Sequence, residues 1–313
     1  MMPNSMRLTL TLEAEFFFHQ GLRRNKAEKF CAAIASFDKA LRCKPDYPDA
    51  LSQKGFALGN LGEHSQAVAC FEQVLAIKPD ACWVWHNRGI ALGKLKRYED
   101  ALNSFDRAIE FNPNAATAWH NRGITLSDWG KYDKAVASFD RTISLQPDAY
   151  WAWYNRGNAL GQMRCFEDAL NSYERAIEFN PDNATAWHNR GVTLSDMGRH
   201  IKAVASFDRA VLIKPDYQQA WINRGVACEK FQDYSQAIIS YGQALQLQPN
   251  DHKSWYNQSR CHALQNNIVA AIESLQKAIN LYPEKYFSMA VNSREFDAIR
   301  SDHRFQALNH PVN

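Results

Sequence analysis

Residues 82–113 read CWVWHNRGIALGKLKRYEDALNSFDRAIEFNP. In its second half Tyr98, Ala101, Leu102, Phe105, Ala108, Ile109 and Phe111 recur at helical spacing. Pro113 then stops the run, because it has no amide hydrogen to donate and disfavours a helical residue before it. The segment therefore reads as two helices, one over 82–95 and one over 98–111.

The same wording returns along the chain. WHNRG stands at 85–89, 119–123 and 187–191, WYNRG at 153–157 and WINRG at 221–225. Prolines at 45, 79, 113, 147, 181, 215, 249 and 283 keep a step of 34, as do alanines at 33, 67, 101, 135, 169, 203, 237 and 271. Such a period marks a repeat architecture in which each unit buries its apolar face against the next. Eight units follow without insertion: 14–47, 48–81, 82–115, 116–149, 150–183, 184–217, 218–251 and 252–285. Residues 1–13 remain as a short N-terminal extension. Residues 286–313 break the period and are expected to form a capping helix or tail over the exposed flank of the last hairpin.

Numbering each unit 1–34, helix A is expected over positions 1–14 and helix B over 17–30. Glycine fills position 8 in seven units, and Ser259 takes it in the eighth. Positions 4, 8 and 11 are expected to pack inward. Positions 2, 5, 6, 9, 12 and 13 form the opposite stripe of helix A.

Trp at 4, Gly at 8, Ala at 20, Phe or Tyr at 24 and Pro at 32 together resemble the tetratricopeptide repeat (TPR) family. The resemblance covers 14–285 of the 313 residues, and the AWxNRG wording is most similar to bacterial, especially cyanobacterial, all-TPR arrays. It implies an all-α fold: a right-handed α-solenoid superhelix of eight helical hairpins plus a C-terminal capping segment, with the A helices lining a concave groove. It implies a non-enzymatic scaffold that binds an extended peptide segment of another protein in that groove. Chaperone-binding members use Lys at positions 5 and 2 and Arg at position 6 to clamp an acidic tail. This sequence has no Lys at position 5 and no Arg at position 6, so that ligand class does not fit.

Position 6 is Asn87, Asn121, Asn155, Asn189, Asn223 and Asn257. Asparagine is a middling helix former, so propensity does not account for six copies. Its amide carries an acceptor and donors, the complement of a peptide bond. A row of them reads as a ladder for the backbone of an extended ligand, and the family resemblance implies the same role. Trp83, Trp151, His86, His120, His188 and Tyr154, at positions 2 and 5, complete the expected peptide-binding face.

Position 7 reads differently. It holds Lys54, Arg88, Arg122, Arg156, Arg190 and Arg224 in units two to seven, while position 25 holds Asp38, Glu72, Asp106, Asp140, Glu174 and Asp208 in units one to six. Shifted by one unit, every acid meets a base, and at Gly242 and Gln258 both charges vanish together. The register predicts ion pairs between consecutive hairpins, with the acid partly buried and the Arg structural.

The remaining composition narrows the function classes. The net charge is +3 and not clustered, which gives no footprint for nucleic acid. No apolar run is long enough to span a bilayer and no signal-peptide core is present, so no membrane contact and a cytoplasmic location are expected. The seven Cys lack metal or redox spacing. His86, His120 and His188 sit on separate helices with no acid or Cys at their spacing, so neither a metal nor a cofactor is expected. Self-association, with the array meeting copies of itself, is the alternative reading.

Overall fold

The computed structural model describes residues 4–308, with side chains from Leu10 onward. The ends of the expected extension and tail, 1–3 and 309–313, lie outside the described residues. The described residues are helical, with no strand among them. The chain forms two compact bodies, Met1–Ala159 and Leu160–Asn313.

In chain order the helices are α1 (Asn4–Lys26), α2 (Phe30–Cys43), α3 (Pro48–Asn60), α4 (His64–Ile77), α5 (Cys82–Lys94), α6 (Tyr98–Phe111), α7 (Ala116–Asp128), α8 (Tyr132–Leu145) and α9 (Tyr150–Gln162). They continue as α10 (Phe166–Phe179), α11 (Ala184–Asp196), α12 (His200–Ile213), α13 (Gln218–Lys230), α14 (Tyr234–Leu247), α15 (His252–Leu264) and α16 (Ile268–Leu281). Last come α17 (Pro283–Asn292), a 3-10 turn (Arg294–Phe296) and α18 (His303–Ala307). Consecutive helices pack on one another from α1 to α8 and again from α10 to α17, which is a solenoid of helical hairpins. The first helix departs from expectation: it starts at Asn4, so the N-terminal extension continues into helix A of the first unit rather than standing apart.

Helix A is one residue shorter than the apolar pattern suggests. Position 15 explains it. That residue is left-handed in all eight units: Gly62, Gly130 and Gly198 at φ 84, 78 and 73, and Glu28, Lys96, Arg164, Gln232 and Asn266 at φ 55 to 65. A left-handed residue ends a helix by folding its last amides back onto earlier carbonyls, as Arg97 N does to Leu92 O at 3.0 Å.

The buried stripe of helix A includes the expected positions 8 and 11, where the glycines are buried and Leu92, Leu126, Leu194 and Cys228 are at most 2% exposed, but position 4 departs from the sequence reading. Small residues at positions 3 and 10 are buried as well: Val84, Ala118, Ala186 and Ala220 are at most 1% exposed, and Ala91 and Ala227 at most 3%. The tryptophans at position 4 are only half-buried. Each rests at the edge of the core, its indole N–H donating to the carbonyl of the proline six residues earlier, from Trp85 to Pro79 (2.7 Å) through Trp255 to Pro249 (2.9 Å). Alanine is small enough that its periodic recurrence looks like helix propensity, which is why the stripe was assigned to the larger residue.

Position 8 has a strict steric reason. A Cβ on Gly89, Gly123, Gly191 or Gly225 would sit 2.5 to 2.8 Å from the aromatic ring at position 24 of the same hairpin, closer than real contacts allow. The eighth unit breaks both positions together, with Ser259 opposite Leu275. Both residues are fully buried.

After α16 the chain closes its own flank. Pro283 sits at the start of α17, where a missing amide hydrogen costs nothing. Tyr286, Ala290, Phe296, Ile299, Phe305 and Leu308 are buried against Tyr256, Ile272, Leu275 and Ile279. The cap thereby covers Tyr256, a position-5 residue that other units present on the A-helix face.

Candidate functional site

The cationic row is fixed by its surroundings. Lys54–Asp38 (2.7 Å), Arg88–Glu72 (2.7 Å), Arg122–Asp106 (2.7 Å) and Arg156–Asp140 (2.6 Å) pair in the first body. Arg190–Glu174 (2.8 Å) and Arg224–Asp208 (2.6 Å) pair in the second. These are the pairs the one-unit shift predicts. The burial is the reverse of expectation: the Arg side chains are 12% to 23% exposed and their acids 49% to 57%. Each planar guanidinium lies in the seam between hairpins, and the carboxylate reaches it from the rim. The guanidinium gains a second anchor on its own hairpin, to Ser104 (2.7 Å), Ser138 (2.8 Å), Ser206 (2.7 Å) and Ser240 (2.6 Å). It also lies 5.7 to 5.9 Å over Trp85, Trp119, Trp153 and Trp187. With acid, hydroxyl and indole all engaged, the Arg row has little left for a ligand. Where the charges disappear, Gln258 keeps the serine contact, accepting from Ser274 at 3.4 Å.

The Asn row lies one residue earlier on the same helices and is half-buried throughout. The structure adds a partner the sequence did not suggest. Asn121 Nδ2 donates to His86 Nε2 at 3.3 Å, Asn155 Nδ2 to His120 Nε2 at 3.4 Å, and Asn223 Nδ2 to His188 Nε2 at 2.9 Å. Each bond runs from position 6 of one unit to position 5 of the unit before. The signal was available as a spacing of 35 between WHN and the next Asn, but both residues had been read as facing the same ligand.

These histidines are packing residues as much as surface ones. His86, His120 and His188 set their rings 5.6 to 5.8 Å from Phe105, Phe139 and Phe207, and His188 is only 8% exposed. Burial holds all three below the usual imidazole range, His120 at about 4. A neutral ring that accepts at Nε2 carries its proton on Nδ1. In His188 that proton points to Asn189 Oδ1 at 3.1 Å, a bond that partly offsets the effect of burial. In His120 the Nδ1 atom is buried without a partner.

The two bodies differ in what the Asn side chains keep free. Asn87 donates to Trp83 O at 2.7 Å, and the oxygens of Asn87, Asn121 and Asn155 have no partner among the described residues. In the second body the Asn223 oxygen accepts from Gln219 at 2.9 Å and the Asn257 oxygen from Arg260 at 3.3 Å. Arg260 further ties Glu229 (2.9 Å) to Glu295 of the cap (3.2 Å). Tyr241 donates to Glu229 as well. The charges of Glu229 and Arg260 are thus spent on one another.

Of the aromatic candidates, Trp83 is 43% exposed. Trp151 is half-buried edge-on against His120, ring centroids 4.2 Å apart, and Tyr154 is half-buried too. Among the described residues no three His, Cys, Asp or Glu side chains converge as a metal site needs, and no helix is long and apolar enough to cross a membrane.

Comparison with known proteins places this arrangement. Models described as tetratricopeptide repeat match 82–115, 150–183 and 219–251, then 104–137 and 172–205, then 48–81 and 252–285. A protein prenyltransferase alpha subunit repeat model also matches 132–163. No curated protein matches the chain. Among solved structures it is similar to the C-terminal part of a TPR repeat-containing protein from Cytophaga hutchinsonii, with TM-score 0.65, 15% identity, and 76% of this chain and 97% of that one covered. It is similar to a tetratricopeptide repeat protein from Parabacteroides merdae, with TM-score 0.60, 16% identity, and 79% and 98% covered. YrrB, described as a TPR protein with an unusual peptide-binding site, aligns with TM-score 0.54, 23% identity, and 59% and 95% covered. The matched repeats, the helical hairpins and the Gly–aromatic contacts agree: the chain belongs to the tetratricopeptide repeat family.

Proposed function

We propose that the chain is a non-enzymatic interaction module that holds an extended peptide segment of a partner protein on an A-helix face. The observation that carries this reading is the state of Asn87, Asn121 and Asn155. An Asn amide has two N–H donors and an acceptor oxygen. In each of these three, one bond to the protein fixes the amide plane, and the carbonyl oxygen stays unclaimed. A remaining N–H and a free C=O on a fixed amide complement a peptide backbone without reading its sequence. Trp83 and Trp151 add exposed or half-buried aromatic surface beside them. The peptide-binding site named for YrrB, a protein with the same repeat, supports the class of ligand. The second body contributes Asn189, Asn223 and Asn257 less readily, because their amides are already engaged.

The test is a paired capture from lysate of the source cell, read by mass spectrometry, with the native chain and an Asn87, Asn121 and Asn155→Ala variant of equal helicity as baits. A protein retained by the native chain and lost by the variant is the expected result. Identical captures on both baits would move the binding surface elsewhere.

A further inference from the structure

We propose that a pocket between α3 and α5 takes one large apolar side chain of the bound peptide, with a carboxylate of the same peptide next to it on Lys94. This deepens the peptide-binding reading and rests on it. The pocket has a volume of about 250 Å³ and is lined by Phe56, Phe71, Ile90, Asn87, His64 and Lys94, among others. All of these belong to the first body.

The pocket exists because one of two facing positions lacks a side chain and the other carries only a methyl group. A Cβ on Gly59 would meet nothing within 4 Å. One unit further on, the equivalent Gly93 already has Thr125 Oγ1 at 3.5 Å, because Thr125 stands where Ala91 stands here. The pair Gly59 and Ala91 leaves open what Gly93 and Thr125 close. Phe56 at its edge is 42% exposed and offers ring surface beside the opening.

Size and polarity define the occupant. Pockets that enclose drug-sized ligands run from roughly 300 to 1,000 Å³. This one falls below that range, which fits a single Leu, Phe or Trp side chain better than a free metabolite. Asn87, with its oxygen unclaimed, lines the same pocket, so a peptide running along the Asn row passes over it. Two polar groups mark where the ligand carries a polar partner. Lys94 is exposed and forms no ion pair among the described residues, and His64 has a buried Nδ1 atom with no hydrogen bond. In the next unit Asp128 takes the position of Lys94, so the following hairpin does not repeat this charge. The occupant is therefore an internal peptide segment with an apolar residue flanked by Asp or Glu.

The experiment uses random twelve-residue peptides displayed on phage and selected on the full chain, then resynthesised and titrated. The variants are Gly59→Leu, Lys94→Glu and Asn121→Ala with Asn155→Ala, each checked for native helicity. A Cβ at 59 meets nothing within 4 Å and leucine is the better helix former, so the fold is retained. Selected peptides should share Leu, Phe or Trp within two residues of an acid. Filling the pocket should weaken them about tenfold to a hundredfold, the worth of burying one such side chain. Lys94→Glu should turn the preference from acidic to basic neighbours. Peptides that bind Gly59→Leu as tightly as the native chain overturn the pocket. If those peptides still lose affinity for the double Asn variant, the A-helix reading stands without it; if they ignore both variants, both fall. Enrichment of no sequence, or of one without the apolar–acidic pair, also overturns the pocket.

Discussion

The first body and the second carry the same five-residue motif, yet they leave different atoms available. Asn121 and Asn223 each donate to a histidine of the preceding unit, at 3.3 and 2.9 Å. The Asn121 oxygen then stays free, while that of Asn223 accepts from Gln219. Tyr217 reaches His188 in the second body at 3.2 Å, where the corresponding residue beside His86 is Ala115. Toward the C-terminus, Arg260 and the cap take up Asn257 and Glu229. Motif residues set a side chain's position. Residues outside the motif decide whether its hydrogen-bonding groups remain for a ligand.

If the frame is shared and only availability differs, damage to the frame must cost both bodies alike. Gly123→Ala and Gly191→Ala each push a Cβ to 2.5 or 2.6 Å from a buried ring. Each should lose about 1–3 kcal/mol in urea unfolding, the usual cost of overpacking. Combining Gly123→Ala with Phe139→Leu, after the example of Ser259 and Leu275, should recover much of that loss. A large cost in one body and none in the other would show that the frames are not equivalent.

Acid should separate the bodies. Histidines held below their ordinary value are neutral when folded, and the unfolded chain takes up the proton first. Their contribution is therefore complete above pH 6.5 and is lost as the pH falls toward the folded value, about 4 for His120. His188 keeps a hydrogen bond on Nδ1 that His120 lacks. Hydrogen exchange between pH 6.5 and 4.5 should thus show α7 and α8 losing protection before α11 and α12. Simultaneous loss, or the opposite order, would remove the histidine contrast.

The ion pairs should show the smallest effect and no contrast. Double-mutant cycles on Asp106 with Arg122 and on Asp208 with Arg224 should each give about 0.5–1 kcal/mol, since both acids are about half exposed. Arg122→Ala should cost more than Asp106→Ala, because it also releases a serine and an indole, and Arg224→Ala more than Asp208→Ala, because it also releases a serine. Coupling near zero in both would make the register match decorative.

These contrasts also mark what was legible in the sequence. The helices and the Arg–acid register could be read because each depends on one repeated neighbour at a fixed offset. The buried stripe at positions 3 and 10 escaped, since Ala118 and Ala186 carry too little apolar surface to stand out beside Trp119 and Trp187. The acid was placed deeper than the Arg because position 25 lies among apolar residues, and spacing cannot show that the longer side chain reaches into the seam. The His–Asn bonds escaped because two residues adjacent in one unit were read as one face, while the bond joins different units. Unit eight broke the pattern at Gln258, Ser259 and Leu275, and those departures become intelligible only beside a cap the period does not describe.

The account turns on the unclaimed oxygens of Asn87, Asn121 and Asn155. The most direct measurement is the side-chain NH2 spectrum of the isotope-labelled full chain, with Asn signals assigned by single substitution, titrated with a phage-selected peptide. The account predicts large shifts for Asn87, Asn121 and Asn155 and small ones for Asn223 and Asn257. Saturating peptide that leaves the first three unmoved, while signals from the B helices shift, would contradict it.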